Sequence, residues 1–204
     1  MDIGAAILVG PAGALLGFRH AFEPDHIAAL SALSTGKLSR LRACFVGAAW
    51  GVGHSCALCL VAFLLITFAS NLDEQLQRVL DILVGVSLLW CAWRAGREIL
   101  SRTQNEAHTL NSKQLATPFL IGILHGLAGS GALFVIAATR SEGGILTSLL
   151  LTCFSVALII ATAGISIGFS LSQGSSIWLS RAARAVSVGL NSFLGLKLLT
   201  QTLS

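Results

Sequence analysis

Three stretches of this 204-residue chain carry no charged side chain, 43–72, 114–139 and 143–180. Each exceeds the roughly 20 residues that a helix needs to cross a hydrocarbon core. Apolar residues make up 54% of the chain and charged ones only 11%, which excludes an ordinary soluble domain. The fold expected is an all-α membrane protein, a bundle of six transmembrane helices forming a single domain over 1–204. Helix cores are expected near 3–33 (bent), 43–69, 76–93, 114–139, 145–171 and 182–200. Asp2 and the lack of a basic n-region do not read as a cleaved signal, so the first segment is expected to stay in place.

The net charge of +4 is explained by topology rather than by a nucleic-acid partner. Lys37, Arg40 and Arg42 lie between the first two segments, Arg94, Arg97, Arg102 and Lys113 between the third and fourth, and Arg181 and Arg184 between the last two. The other loops hold only Arg78 and Arg140, beside Asp73, Glu74 and Glu142. By the positive-inside rule the basic loops are cytoplasmic and both termini face outward.

Against this background the stretch FRHAFEPDHIAAL, residues 18–30, is costly. His54 and His125 each lie eleven residues into their charge-free stretches, about 16 Å deep at 1.5 Å per residue. His20 and His26 fall near the centre of the first segment, so four His from three segments converge on one depth. Ionisable groups there cost about 2.5–3.5 kcal/mol each on insertion scales, so chance would favour the helix ends. On a regular helix His20, Glu23 and His26 share a face while Asp25 points elsewhere. Pro24 removes a backbone donor and disfavours helical geometry at Glu23, so a break there would swing Asp25 and His26 toward His20. Broken backbone is tolerated at membrane depth where it lines a cavity or is buried in protein.

For a single His, a helix-packing hydrogen bond is the simpler reading. Four at a common depth beside two acids point to metal or proton handling. Imidazole suits nickel, cobalt, zinc and copper, whereas calcium and magnesium call for oxygen ligands. The expected ligand set is His20, His26, His54 and His125 with Asp25 or Glu23. Arg19 is expected to pair with Glu23 or Asp25 rather than to ligate. His108, in the polar stretch 94–113, reads as a solvated residue.

The five Cys residues, Cys44, Cys56, Cys59, Cys91 and Cys153, fall in or beside apolar segments and behave as small hydrophobes. Cys56 and Cys59 form a CxxC without the soluble redox-domain context that would make it a strong signal. They keep a transmembrane thiol-disulfide carrier as an alternative.

Six segments divide into halves of about 1–100 and 114–204. GFRHAFEPDHIAAL from Gly17 and GILHGLAGSGALFV from Gly122 share Gly-x-x-His followed by small and apolar residues. A 3+3 duplication gives halves of opposite orientation, the inverted-repeat plan of many transporters. Gly pairs at 13 and 17, 47 and 51, 122 and 126, and 164 and 168 predict close helix packing.

These residues resemble the nickel/cobalt transporter family (NiCoT), particularly its short UreH-like, urease-accessory branch. The family signature Arg-His-Ala-x-Asp-Ala-Asp-His-Ile is matched here by Arg19 to Ile27, with the His-x4-Asp-His core intact. Gly53-His54-Ser55 matches the family's Gly-His-Ser. HGLAGSGAL from His125, which includes Ser130, is similar to the second-half motif of the short branch. Glu23 and Pro24 replace the family's Asp and Ala, and the acidic second-half motif of the longer members is absent. The resemblance implies a six-span permease for Ni²⁺ or Co²⁺ as transported substrate, in the bacterial cytoplasmic (inner) membrane, supplying metalloenzymes such as urease. The metal residues it implies are His20, Glu23, Asp25, His26, His54 and His125, with Arg19, Ser55 and Ser130 in supporting places. No enzyme activity and no resident cofactor are expected. No Walker-type Gly-rich Lys motif is present, so an ion gradient, the membrane potential or a partner is expected to drive transport. Export rather than import remains an alternative direction.

Overall fold

The computed structural model describes residues 3–34, 38–68, 74–100, 112–127, 144–175 and 177–203. Over these residues the chain is all-helical: α1 (Ile3–His20), α2 (Pro24–Leu33), α3 (Arg40–Phe68), α4 (Glu74–Leu100), α5 (Ser112–Leu127), α6 (Gly144–Ser175) and α7 (Ile177–Leu203). Three described helices are long and apolar enough to cross a membrane, over Arg40–Leu64, Arg78–Arg97 and Ile145–Ser172. Large apolar side chains such as Leu8, Leu15, Phe63, Ile160 and Phe193 point out of the bundle. In water such a surface would be an aggregation hazard, whereas lipid solvates it. The chain is a membrane protein on these grounds.

The expected six crossings appear only in coarser form. The first segment is broken at Pro24 into two helices, as its sequence leads one to expect, and the fourth is described only as far as Leu127. α4 runs on to Leu100, past the expected end at 93, with the guanidinium groups of Arg94 and Arg97 over the rings of Trp90 and Trp93 at 5.8 and 4.8 Å. Such cation–π pairs let a helix carry its charges along an interfacial aromatic belt.

The break after α1 follows from local chemistry. Pro24 takes the first helical position of α2, where its missing N–H does no harm. It forces Glu23 out of helical geometry, to φ −61° and ψ 144°. Phe22 and Glu23 turn the chain with N–H bonds to the carbonyls of Arg19 and His20, both at 3.0 Å.

α3 packs most extensively on α5 and α6, α1 on α6, and α4 on α7. Backbones touch where the glycines lie. A Cβ at Gly13 or Gly17 would meet the backbone of Leu150 or Phe154, one at Gly47 or Gly51 would meet α6, and one at Gly122 or Gly126 would meet the backbone of Trp50 or His54. Three of the four expected Gly pairs therefore mediate helix contacts. At Gly164 and Gly168 no heavy atom among the described residues lies within 4 Å of where Cβ would stand, so that pair faces away from the bundle.

Polar bonds tie the short α2 down. Asn191 Nδ2 donates to the Ala28 carbonyl at 2.8 Å, and Ser31 Oγ to Ser187 Oγ at 2.9 Å. Thr162 Oγ1 donates to the Gly47 carbonyl at 3.1 Å and so joins α6 to α3. Interhelical bonds of this kind carry much of the association of helices in lipid, where apolar burial provides little drive.

Candidate metal centre

His20 ends α1, His26 lies in the first turn of α2, His54 sits midway along α3 and His125 near the end of α5. All four are buried. Ring centroids are 4.6 Å apart for His20 and His26, 5.1 Å for His20 and His54, 5.0 Å for His26 and His54, and 6.1 Å for His26 and His125. The first three offer ligand atoms all within 4.8 Å of one another, and Glu23, Asp25 and His26 form a second such group. His125 stands at the edge of the cluster.

The break in the helix creates this geometry. In an unbroken helix the His20 carbonyl would accept from residue 24, but that residue is proline and has no N–H. His26 Nδ1 takes its place, donating to His20 O at 2.8 Å. A carbonyl can only accept, so Nδ1 carries a proton, and the neutral ring has its lone pair on Nε2. The same reasoning applies to His125, whose Nδ1 donates to the Ile121 carbonyl at 2.9 Å, and to His20, whose Nδ1 is 2.9 Å from Glu23 Oε1. Three imidazoles thus have Nδ1 committed to an oxygen and turn Nε2 toward the cluster. Metal-binding histidines are oriented in this way by their outer partners.

His20 Nε2 and His54 Nε2 are 3.1 Å apart and share a hydrogen bond. One proton then sits between two ligand atoms. His54 Nδ1 and His125 Nε2 are buried with no hydrogen-bond partner among the described residues. Asp25 Oδ2 lies 3.7 Å from His26 Nε2, so a carboxylate faces the same point as the imidazoles.

The other expected residues divide. Ser55 is buried beside His54, and its Oγ has no hydrogen-bond partner among the described residues. Arg19 is exposed on α1 and forms no ion pair with Glu23 or Asp25 among the described residues; Glu23 bonds to His20 instead. Ser130 and His108 lie outside the described residues. Cys56 and Cys59 are exposed free thiols on α3, on faces that turn away from the buried His54.

Two contributors were not anticipated. Trp50 is fully buried and stacks on His54 at 5.1 Å with 25° between the planes, while its edge-on contacts reach His26 at 4.9 Å and His125 at 5.7 Å. Its position four residues before His54 was the available signal, since i and i+4 share a helix face. Phe154 of α6 backs His20 at 5.3 Å, a contact across more than a hundred residues that no local pattern discloses.

The chain is 30% identical over 144 residues to the urease accessory protein UreH of Bacillus sp. (strain TB-90), covering 64% of this chain and 62% of that protein. It is 30% identical over 169 residues to the chloroplast protein FOR GROWTH AND FERTILITY 1 of Arabidopsis thaliana, covering 73% of this chain and 46% of that one. For FOR GROWTH AND FERTILITY 2 of the same plant the identity is 27% over 150 residues, covering 68% and 40%. The chain spans less than two thirds of the length of each of these relatives. No family profile matches, and no solved structure matches. The UreH-like resemblance read from the sequence is borne out by the Bacillus protein, whose description is that of an accessory protein and not of an enzyme.

Proposed function

From a membrane chain homologous to a urease accessory protein UreH, we propose a permease for a divalent first-row transition-metal ion, Ni²⁺ foremost and Co²⁺ second. The observation that carries this reading is the buried trio His20, His26 and His54, with ligand atoms within 4.8 Å of one another. Asp25 supplies negative charge at the same point, Glu23 orients His20, and His125 extends the ligand set. A neutral imidazole trio with one carboxylate suits nickel, cobalt or zinc better than calcium or magnesium. The urease-accessory likeness favours nickel among these, and import to supply a metalloenzyme as the direction.

Binding requires unprotonated Nε2 atoms, so capture of the ion competes with protons. The proton between His20 and His54 is the one an arriving cation would displace, and its return would favour release. Metal–proton exchange is therefore the coupling this geometry supports.

An inverted repeat fits the helix pairing. Exchanging α1 and α2 with α5, α3 with α6, and α4 with α7 turns the α3–α5 contact into the α1–α6 contact and returns α3–α6 and α4–α7 to themselves. Gly17 against the Phe154 backbone then corresponds to Gly122 against the Trp50 backbone, each three residues before a cluster His. The proposed setting is the bacterial inner membrane with both termini outward, as the basic loops favour.

The test is accumulation of radiolabelled nickel in cells expressing the wild type, His26→Ala or Asp25→Ala, with membrane abundance measured alongside. Loss of accumulation at undiminished abundance is expected for both, and unchanged uptake in both would overturn the reading. Cys56→Ser with Cys59→Ser is expected to leave uptake intact; its loss would favour the thiol-disulfide alternative.

A further inference from the structure

A cavity of 240 Å³ lies between α2, α4, α5 and α7. Its polar wall is formed by Asp25 of α2, Asp81 of α4, His125 of α5, and Lys197 and Gln201 of α7; Pro24, Val84, Leu88, Leu194 and Leu198 line the rest. Asp25 joins this space to the histidine cluster, because its carboxylate also lies 3.7 Å from His26 Nε2. His125, 2% exposed, is in the same wall, and its Nε2 has no hydrogen-bond partner among the described residues. Lys197 and Gln201 are exposed, one helical turn apart near the end of α7, so the cavity runs from the surface on the carboxy-terminal side inward to buried groups.

Asp81 is the residue that the histidine cluster leaves unexplained. It is the only acid in the apolar span Arg78–Arg97, three residues in from the end at Arg78, and it forms no ion pair among the described residues. At about 30 Å³ per water molecule the cavity has room for a cation with several waters of its shell.

We propose that this cavity is a separate cation station on the path to the histidine cluster, where Asp81 and Asp25 hold a partly hydrated divalent ion before Asp25 and His125 pass it to His26. The inference rests on the metal-transport reading above. Oxygen ligands and water hold divalent cations with little discrimination, so the station concentrates the ion and the imidazoles select it. Asp81 acts on capture, and a station of this kind is felt in KM rather than in the maximal rate.

The experiment compares initial rates of radiolabelled nickel uptake for wild type, Asp81→Asn, Asp81→Glu and His26→Ala at matched membrane abundance. Asp81→Asn is expected to raise KM at least fivefold with Vmax within twofold, Asp81→Glu to restore KM, and His26→Ala to abolish uptake. Abolished uptake in His26→Ala with unchanged KM in Asp81→Asn overturns the station and leaves metal transport standing. Undiminished uptake in His26→Ala overturns the transport reading itself. A second measurement does not depend on Asp81: Leu198→Cys, in the cavity wall, is treated with a cationic thiol reagent. Uptake is expected to fall severalfold relative to treated wild type, with protection by excess Ni²⁺, and an unaffected rate would overturn the route.

Discussion

His26 donates its Nδ1–H to the carbonyl oxygen of His20 at 2.8 Å, filling the place that the N–H of residue 24 would take were it not proline. One residue therefore both interrupts the first segment and determines which nitrogen of His26 faces the cluster. Replacing Pro24 with Ala restores a competing donor to that carbonyl and allows helical geometry through Glu23. The helix itself would tolerate the change well, because Ala is the best helix former. Metal affinity is expected to fall about 10- to 100-fold, the usual cost of losing an outer partner of a ligand histidine. Nickel uptake kinetics at matched membrane abundance check this, and a KM equal to that of the wild type would dissociate the break from the site.

Glu23 offers an independent test of the same orientation logic. Its Oε1 lies 2.9 Å from His20 Nδ1 and holds the ring with Nε2 towards His54. Glu23→Ala removes the acceptor and frees the ring to rotate, so affinity is expected to drop about 10- to 100-fold. Glu23→Gln keeps a carbonyl oxygen in reach and should lose only a fraction of that, since neutral acceptors are roughly half as strong as charged ones. Equal losses in the two variants would mean that Glu23 acts through its charge on the ion rather than through His20.

What could be read from the sequence was set by short spacings. Pro24 announced a break, and the depths of His20, His26, His54 and His125 announced convergence, because both follow from helical rise and from proline's missing donor. The Gly pairs at 13 and 17, 47 and 51, and 122 and 126 announced close contacts for the same local reason. The pair at 164 and 168 has the same spacing and yet faces outward. Spacing states that two small residues share a face, and only the bundle decides what that face meets. Asp81 escaped notice because the residues that line the cavity with it, Asp25 and Lys197 among them, come from opposite ends of the chain. Arg19 was expected to balance the acids, but the break places Glu23 beside His20 and leaves Arg19 exposed.

Trp50 supports the rings from behind. It is fully buried, stacks on His54, and its indole N–H has no hydrogen-bond partner among the described residues. Trp50→Ala opens a cavity against three histidines and is expected to destabilise the protein by about 3–5 kcal/mol. Trp50→Phe retains a stacking plane and deletes a buried unsatisfied donor, whose burial carries its own penalty of about 1–3 kcal/mol. The Phe variant is therefore expected to lie much closer to wild type. Thermal unfolding in detergent micelles measures both, and a Phe variant as unstable as the Ala variant would show that the indole nitrogen has a partner in the membrane.

Gly122 and Gly164 look alike in sequence and should behave in opposite ways. A Cβ at Gly122 would run into the Trp50 carbonyl and the His54 backbone nitrogen, so Gly122→Ala must push α5 away from α3. The rigid backbone on the far side cannot yield, and the displacement separates His125 from His54 and His26 as it loosens the bundle. A lowered melting temperature together with reduced nickel uptake is expected. At Gly164 a Cβ meets nothing within 4 Å among the described residues. There the intrinsic preference of a helix for Ala over Gly, about 0.5–1 kcal/mol, operates unopposed. Gly164→Ala should melt at the same temperature as wild type or slightly above it, with uptake unchanged. A loss of stability at Gly164 comparable to that at Gly122 would mean that the outward Gly pair is covered by another helix in the membrane, since a close contact is the one thing a single methyl group there could disturb.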